Sequence, residues 1–171
     1  MSTNTLNKKL WNEEVTKETY NSHEQYQEHI FEQYKILVES AEKVSDRRNV
    51  ANTFFLSLNS LIITIVAFLY EGKLQLANKW FVLFPLVAIL SLCYVWWRLI
   101  HSYKQLNTAK FKVIDEYEKR LPSMPYVSAE WKALGEGKEP KLYKPLTDVE
   151  SRIPAVFACL YFIGALAIIF L

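Results

Sequence analysis

The stretch NVANTFFLSLNSLIITIVAFLY, residues 49–70, decides how this chain folds. It runs for 22 residues without a charge. A helix of about 20 mostly apolar residues is enough to cross a bilayer core about 30 Å thick. Two further charge-free runs follow it, Trp80–Trp97 (18 residues) and Ile153–Leu171 (19 residues). Three such runs in 171 residues exclude a soluble globular domain. The composition also excludes collagen, a disulfide-rich secreted scaffold and a disordered tail. The whole-chain mean hydropathy of zero arises because very polar and very apolar stretches cancel.

Helix breakers set the fold class. None of the four glycines and six prolines precedes Gly72, and alternating β-barrel patterning is absent. The reading is an all-α integral membrane protein: a long antiparallel helical hairpin, two spans with cytoplasmic extensions, plus a C-terminal third membrane helix. Residues 1–49 form an N-terminal cytoplasmic helical region. Residues 50–100 form the membrane hairpin, with spans at about 50–70 and 80–100 and an outer loop at 71–79. A cytoplasmic helix and a proline-rich loop occupy 101–152, and the third membrane helix 153–171. Residues 1–49 are polar throughout, so no cleavable signal peptide precedes the first span. Cys93 and Cys159 both lie in apolar runs, where they act as small hydrophobes.

Charge near the membrane sets the orientation. Residues 1–49 hold seven Lys/Arg and residues 98–153 eleven, against two in the 71–79 loop. By the positive-inside rule both large polar segments are cytoplasmic, with the loop and the C-terminus outside; the alternative reading makes the last segment a re-entrant helix that does not fully cross. Trp80 and Phe81 at one end of the second span, and Trp96 and Trp97 at the other, suit interfacial aromatic belts.

Local signals place the helices outside the membrane. Ser22 and Gln25 read as a capping box. Beyond it Ile30, Tyr34, Leu37, Ala41 and Val44 recur at heptad spacing and form a candidate oligomer seam. The second span continues past Arg98 to Leu121-Pro122. Ser128–Leu134 is a short helix candidate ending at Gly135, and Thr147-Asp148-Val149-Glu150 reads as a second capping box.

Several of these stretches carry a resemblance. Trp96-Trp97-Arg98, Ser102 through Asn107, Lys110 through Ile114, Leu134 through Lys138 and Tyr143 through Thr147 resemble the RipA-type family of small bacterial membrane proteins. So do Ser45 through Asn49 and the stretch from Asn52 to Asn59. The resemblance covers roughly residues 35–157 and implies an oligomeric, octameric inner-membrane protein with helical cytoplasmic parts. The layout is also similar to the two-span SLATT effectors of bacterial antiviral operons. Neither family supplies a catalytic motif.

Candidate functional residues fall into three groups. In the first span Asn52, Asn59, Ser60 and Thr64 lie on one broad polar face, read either as interhelical packing or as the lining of a hydrated path. Phe54, Phe55 and Leu56 are candidates for a hydrophobic gate. Arg47, Arg48, Arg98, Lys104, Lys110 and Lys112 cluster near the inner membrane surface. They suit either anionic lipid or an anionic regulator such as a nucleotide or oligonucleotide. Glu24, Glu28 and Glu32 form an acidic face one turn apart, read either as solvated or as pairing with the basic second-hairpin helix of a neighbouring subunit.

His23, His29 and His101 lack metal-ligand spacing, and there is no phosphate-binding glycine loop or Cys-x-x-Cys. No enzymatic activity, cofactor, metal or small-molecule substrate is therefore expected. The expected partners are further copies of the chain (octamer or tetramer), membrane lipids, and a nucleotide or operon-encoded regulator. The expected role is a channel-like, antiviral-defence type effector of the bacterial inner membrane, its N-terminus cytoplasmic. The alternative is a non-conducting scaffold of RipA type.

Overall fold

The computed structural model describes residues 3–71, 79–139 and 141–170. Helix α1 spans Thr3–Leu10 and a 3-10 turn Lys17–Thr19; α2 then runs unbroken over His23–Glu71. A 3-10 turn at Lys79–Val82 leads into α3, Leu83–Glu118. A π-helical turn at Pro125–Ala129 continues into α4, Glu130–Ala133, and a 3-10 turn at Gly135–Gly137 follows. Helices α5 (Leu146–Glu150) and α6 (Ile153–Phe170) complete the chain. Among the described residues there are no strands, and α2, α3 and α6 each carry a segment long and apolar enough to cross a membrane. Apart from Glu71 and Lys79, the loop at 71–79 lies outside the described residues, as does Leu171.

Sequence explains most of these boundaries. The Ser22 hydroxyl accepts a hydrogen bond from the Gln25 amide at 3.1 Å, so the first capping residue works as read. From there 49 residues without Gly or Pro sustain α2. Pro85 and Pro154 sit in the first turns of α3 and α6, where a helix has no partner for its N–H groups anyway. The second capping box does not form. Pro145 precedes α5 and no side chain caps it, while Thr147 and Glu150 turn towards Arg48. The candidate helix Ser128–Leu134 begins earlier, at Pro125, as a π turn. It is stopped as expected by Gly135, whose φ of +64° suits a residue without a Cβ.

The chain clusters into two compact units, each assembled from two stretches. The first comprises Met1–Ser45 and Gln105–Lys144. Here the seam residues Ile30, Ala41 and Val44 are buried within the single chain, with Tyr34 and Leu37 half-buried. The adjoining part of α3 meets α2 through Asn107 to Ser45 (3.1 Å), Lys110 to Ser40, and Tyr117 to Gln33 (2.7 Å). At the same end Trp11 tilts against Tyr117 (4.8 Å between rings), and the Arg120 guanidinium lies 3.4 Å over the Trp11 ring.

The second unit comprises Asp46–Lys104 and Pro145–Leu171. Its core is Phe55, Trp96 and Ile100, flanked by Leu92, Leu99, Ile153 and Phe157. Phe55 stacks on Trp96 with 5.6 Å between centroids and 9° between planes, and Trp96 in turn meets Phe157 at 6.1 Å. One aromatic column thus ties α2, α3 and α6 together.

Candidate functional site: polar groups of the membrane helices

The polar face read from the first span divides in two. Asn59 is fully buried. Its Nδ2 donates to the Phe55 carbonyl at 2.8 Å, and the Tyr161 hydroxyl of α6 lies 3.0 Å from both Asn59 Oδ1 and the Asn59 carbonyl. The Cys93 thiol of α3 approaches the same Oδ1 at 3.7 Å. Asn59 therefore joins all three apolar helices. About two turns earlier, Asn52 Oδ1 accepts from the Trp96 indole N–H at 2.9 Å. With lipid offering no partner, such groups are held inside the protein, and each interhelical bond contributes about 0.6 kcal/mol.

Ser60 and Thr64 face the other way. Both are exposed, and their hydroxyls donate to the backbone carbonyls of Leu56 (2.8 Å) and Ser60 (2.9 Å). Thr53 and Ser57 are exposed as well, and the four positions, spaced by 4, 3 and 4 residues, make one ridge along the helix. Of the candidate gate residues, Phe54 and Leu56 are exposed, Leu56 beside that ridge, whereas Phe55 belongs to the aromatic core.

The basic cluster divides similarly. Arg48, about one-sixth exposed, donates to Thr147 Oγ1 at 3.4 Å. Its Nε lies 3.5 Å from Glu150 Oε2, within ion-pairing range but not aligned as a hydrogen bond. Lys104 pairs with Asp148 at 3.3 Å. These contacts fix the short α5 to the ends of α2 and α3 in the second unit. Arg47 and Arg98 are exposed in that unit, and Lys112 is exposed in the first. Lys110 reaches Ser40.

One functional group escaped the sequence reading. Glu118, the last residue of α3, is completely buried in the first unit, with no Lys or Arg in ion-pairing range among the described residues. Its Oε1 accepts from the Tyr126 amide (2.9 Å) and the Tyr34 hydroxyl (3.1 Å), and its Oε2 accepts from the Val127 amide (3.1 Å). Those two amides are free donors at the start of the Pro125 turn, which has no capping side chain of its own. A carboxylate suits that end of a helix. Burial first, then the bond to Glu118, pushes the Tyr34 phenol up to about 12. The sequence does hold a signal: Ile114, Tyr117 and Glu118 share one helical face, which puts a carboxylate on an otherwise apolar stripe. Tyr161 had one too, as the lone hydroxyl in the third charge-free run.

A chain that is 84% helical, with three apolar segments long enough to cross a membrane, stitched by buried amide and phenol contacts, defines an all-α integral membrane protein. The chain belongs to the octameric membrane protein family (8xMP), whose model matches residues 31–170. It is accordingly a membrane protein of an oligomeric family, as the resemblance implied at that level. The match supports the membrane and oligomeric character that the resemblance implied and does not extend to the RipA-type or SLATT-type naming. No curated protein and no solved structure matches the chain. Residues 1–30, with α1 and Trp11, lie outside the family match.

Proposed function

We propose that this protein is a non-enzymatic homo-oligomer of the bacterial inner membrane that acts as a channel-like effector of antiviral-defence type. Its polar segments are cytoplasmic, and a regulator acts through their helices. The observation that carries this reading is the hydroxyl ridge of Thr53, Ser57, Ser60 and Thr64, exposed in the single chain. Exposed apolar residues flank it on both sides, Leu61 on one and Leu56 and Ile63 on the other. In a ring of copies the flanks meet neighbouring subunits and the ridge turns to the axis. The hydroxyl protons of Ser60 and Thr64 are held by their own helix, which leaves oxygen lone pairs for water. Neutral hydroxyls suit a weakly selective path closed by dewetting at Leu56. The Ile30–Val44 seam is occupied within the chain, so contacts between copies fall to other faces. Arg47, Arg98 and Lys112 remain available to an anionic regulator or lipid.

Ion flux from liposomes tests this reading. Leu56→Ser wets the gate and raises permeability above that of the wild type. Liposomes that stay tight with Leu56→Ser overturn it in favour of the second reading, a non-conducting scaffold. That reading draws support from Asn52 and Asn59, whose amides are bonded inside the bundle rather than offered to water.

A further inference from the structure

At the Asp46–Arg47 end of the membrane unit, α2 and α3 leave a groove with a cavity of about 590 Å³ between them. Val50, Ala51, Phe54, Phe55 and Leu99 line its apolar part. Val50 and Phe54 are 70% and 59% exposed, and both belong to the charge-free run that crosses the bilayer. The mouth is different. Asp46, Arg47 and Tyr103 meet there, and none of the three has a hydrogen-bond or ion-pair partner among the described residues. Asp46 and Arg47 do not pair with each other, being neighbours on one helix turn whose side chains diverge. Arg48, one residue on, is by contrast bound to Thr147 and Glu150. Two opposite charges thus stand unneutralised at the membrane surface, at the open end of an apolar trough.

We propose that this groove binds a zwitterionic aminophospholipid, phosphatidylethanolamine in chemistry. Its phosphate sits on the Arg47 guanidinium and the Tyr103 hydroxyl, its ammonium on the Asp46 carboxylate, and one acyl chain lies along Val50, Ala51, Phe54 and Leu99. Arg matches phosphate through charge-assisted hydrogen bonds, and a primary ammonium brings three donors to a carboxylate. A purely anionic lipid satisfies Arg47 but places its charge beside Asp46 with no cation to offset it. A second copy of the chain is the poorer occupant, because charged residues are depleted from the cores of protein interfaces. The site rests on the chain's membrane location alone and stands whether or not the oligomer conducts.

Native mass spectrometry of the purified oligomer, titrated with phosphatidylethanolamine or phosphatidylglycerol of identical acyl chains, tests the assignment. Wild type retains phosphatidylethanolamine about fivefold better, the effect of about 1 kcal/mol from one headgroup charge contact at a membrane surface. Asp46→Asn removes that preference while phosphatidylglycerol binding holds or rises. Arg47→Gln weakens both lipids, and Ala51→Phe, which fills the trough, weakens both with the mouth charges intact. Equal binding of the two lipids by wild type, or a preference that survives Asp46→Asn, overturns the proposal. So does an oligomer that falls apart on Ala51→Phe while wild type retains neither lipid, since the groove is then a contact between copies. Helix content by circular dichroism confirms that each variant folds.

Discussion

Replacing Glu118 by Gln changes one atom and tests whether a buried carboxylate holds the 125–133 segment in place. In the wild type each carboxylate oxygen accepts a backbone N–H, from Tyr126 at 2.9 Å and Val127 at 3.1 Å, and Oε1 also takes the Tyr34 hydroxyl. Glutamine keeps one acceptor oxygen and presents an NH2 where the other stood. If the oxygen serves Tyr126 and Tyr34, the NH2 confronts the Val127 N–H, donor against donor. The site is fully buried, so water cannot substitute. One unsatisfied buried donor costs about 1–3 kcal/mol. Glu118→Ala orphans both amides and doubles that cost, up to the free energy at which the segment simply opens. Hydrogen exchange followed by mass spectrometry reads this directly. Amide protection across residues 126–134 falls by about 5- to 150-fold in Glu118→Gln, the equivalent of 1–3 kcal/mol. Protection in the Trp96 region of α3 stays unchanged. Wild-type exchange in the Gln variant would refute the reasoning, because a site that accepts an amide equally well is not using two acceptor oxygens.

Two further outcomes follow from the same geometry. A double-mutant cycle of Asn59→Leu and Tyr161→Phe, read by unfolding in mixed micelles, gives a coupling of about 0.6 kcal/mol and at most about 1.7; additive effects would mean the two side chains do not interact. Alkaline pH probes Tyr34, whose folded pKa of about 12 lies above its ordinary value of 10. The folded state then binds the proton more tightly, so this contribution is intact below pH 10 and declines as pH rises towards 12. Thermal unfolding from pH 9 to 12 should show wild type losing stability relative to Tyr34→Phe, and parallel curves would contradict the assignment.

Much of the fold was legible because membrane spans are written in a coarse alphabet. Three charge-free runs suffice to place α2, α3 and α6, and Ser22 marks the start of α2 without further context. The site was less legible, and for a physical reason. Asn52 and Asn59 share a face with Phe55, whereas Ser60 and Thr64 share the next one with Thr53 and Ser57. At about 100° per residue the two groups point more than a quarter-turn apart, too far to be one face. Which of them turns inward depends on where α3 and α6 pack, and Trp96 and Tyr161 settle that from 44 and 102 residues away. The missed cap at α5 has a similar origin. Thr147-Asp148-Val149-Glu150 is a sound local signal, but Arg48, 99 residues distant from Thr147, competes for the Thr147 hydroxyl and for the Glu150 carboxylate. Glu118 shares the Ile114–Tyr117 face, and that placement is the only local mark of its burial.

The account stands or falls on the environment of the hydroxyl ridge in the assembled oligomer. With Cys93 and Cys159 replaced by Ala, a single cysteine is placed at Ser60 or Thr64 and the purified oligomer is reconstituted in liposomes. A charged, membrane-impermeant thiol reagent is then added, and labelling is compared with that of a cysteine at Ile163, an exposed position on α6. Rapid labelling at positions 60 and 64 with little at 163 is the predicted result, because only an aqueous axis carries a charged reagent to that depth. Protection of all three from the charged reagent, with ready labelling by an apolar maleimide, would place the ridge in lipid or between subunits and contradict the channel-like reading.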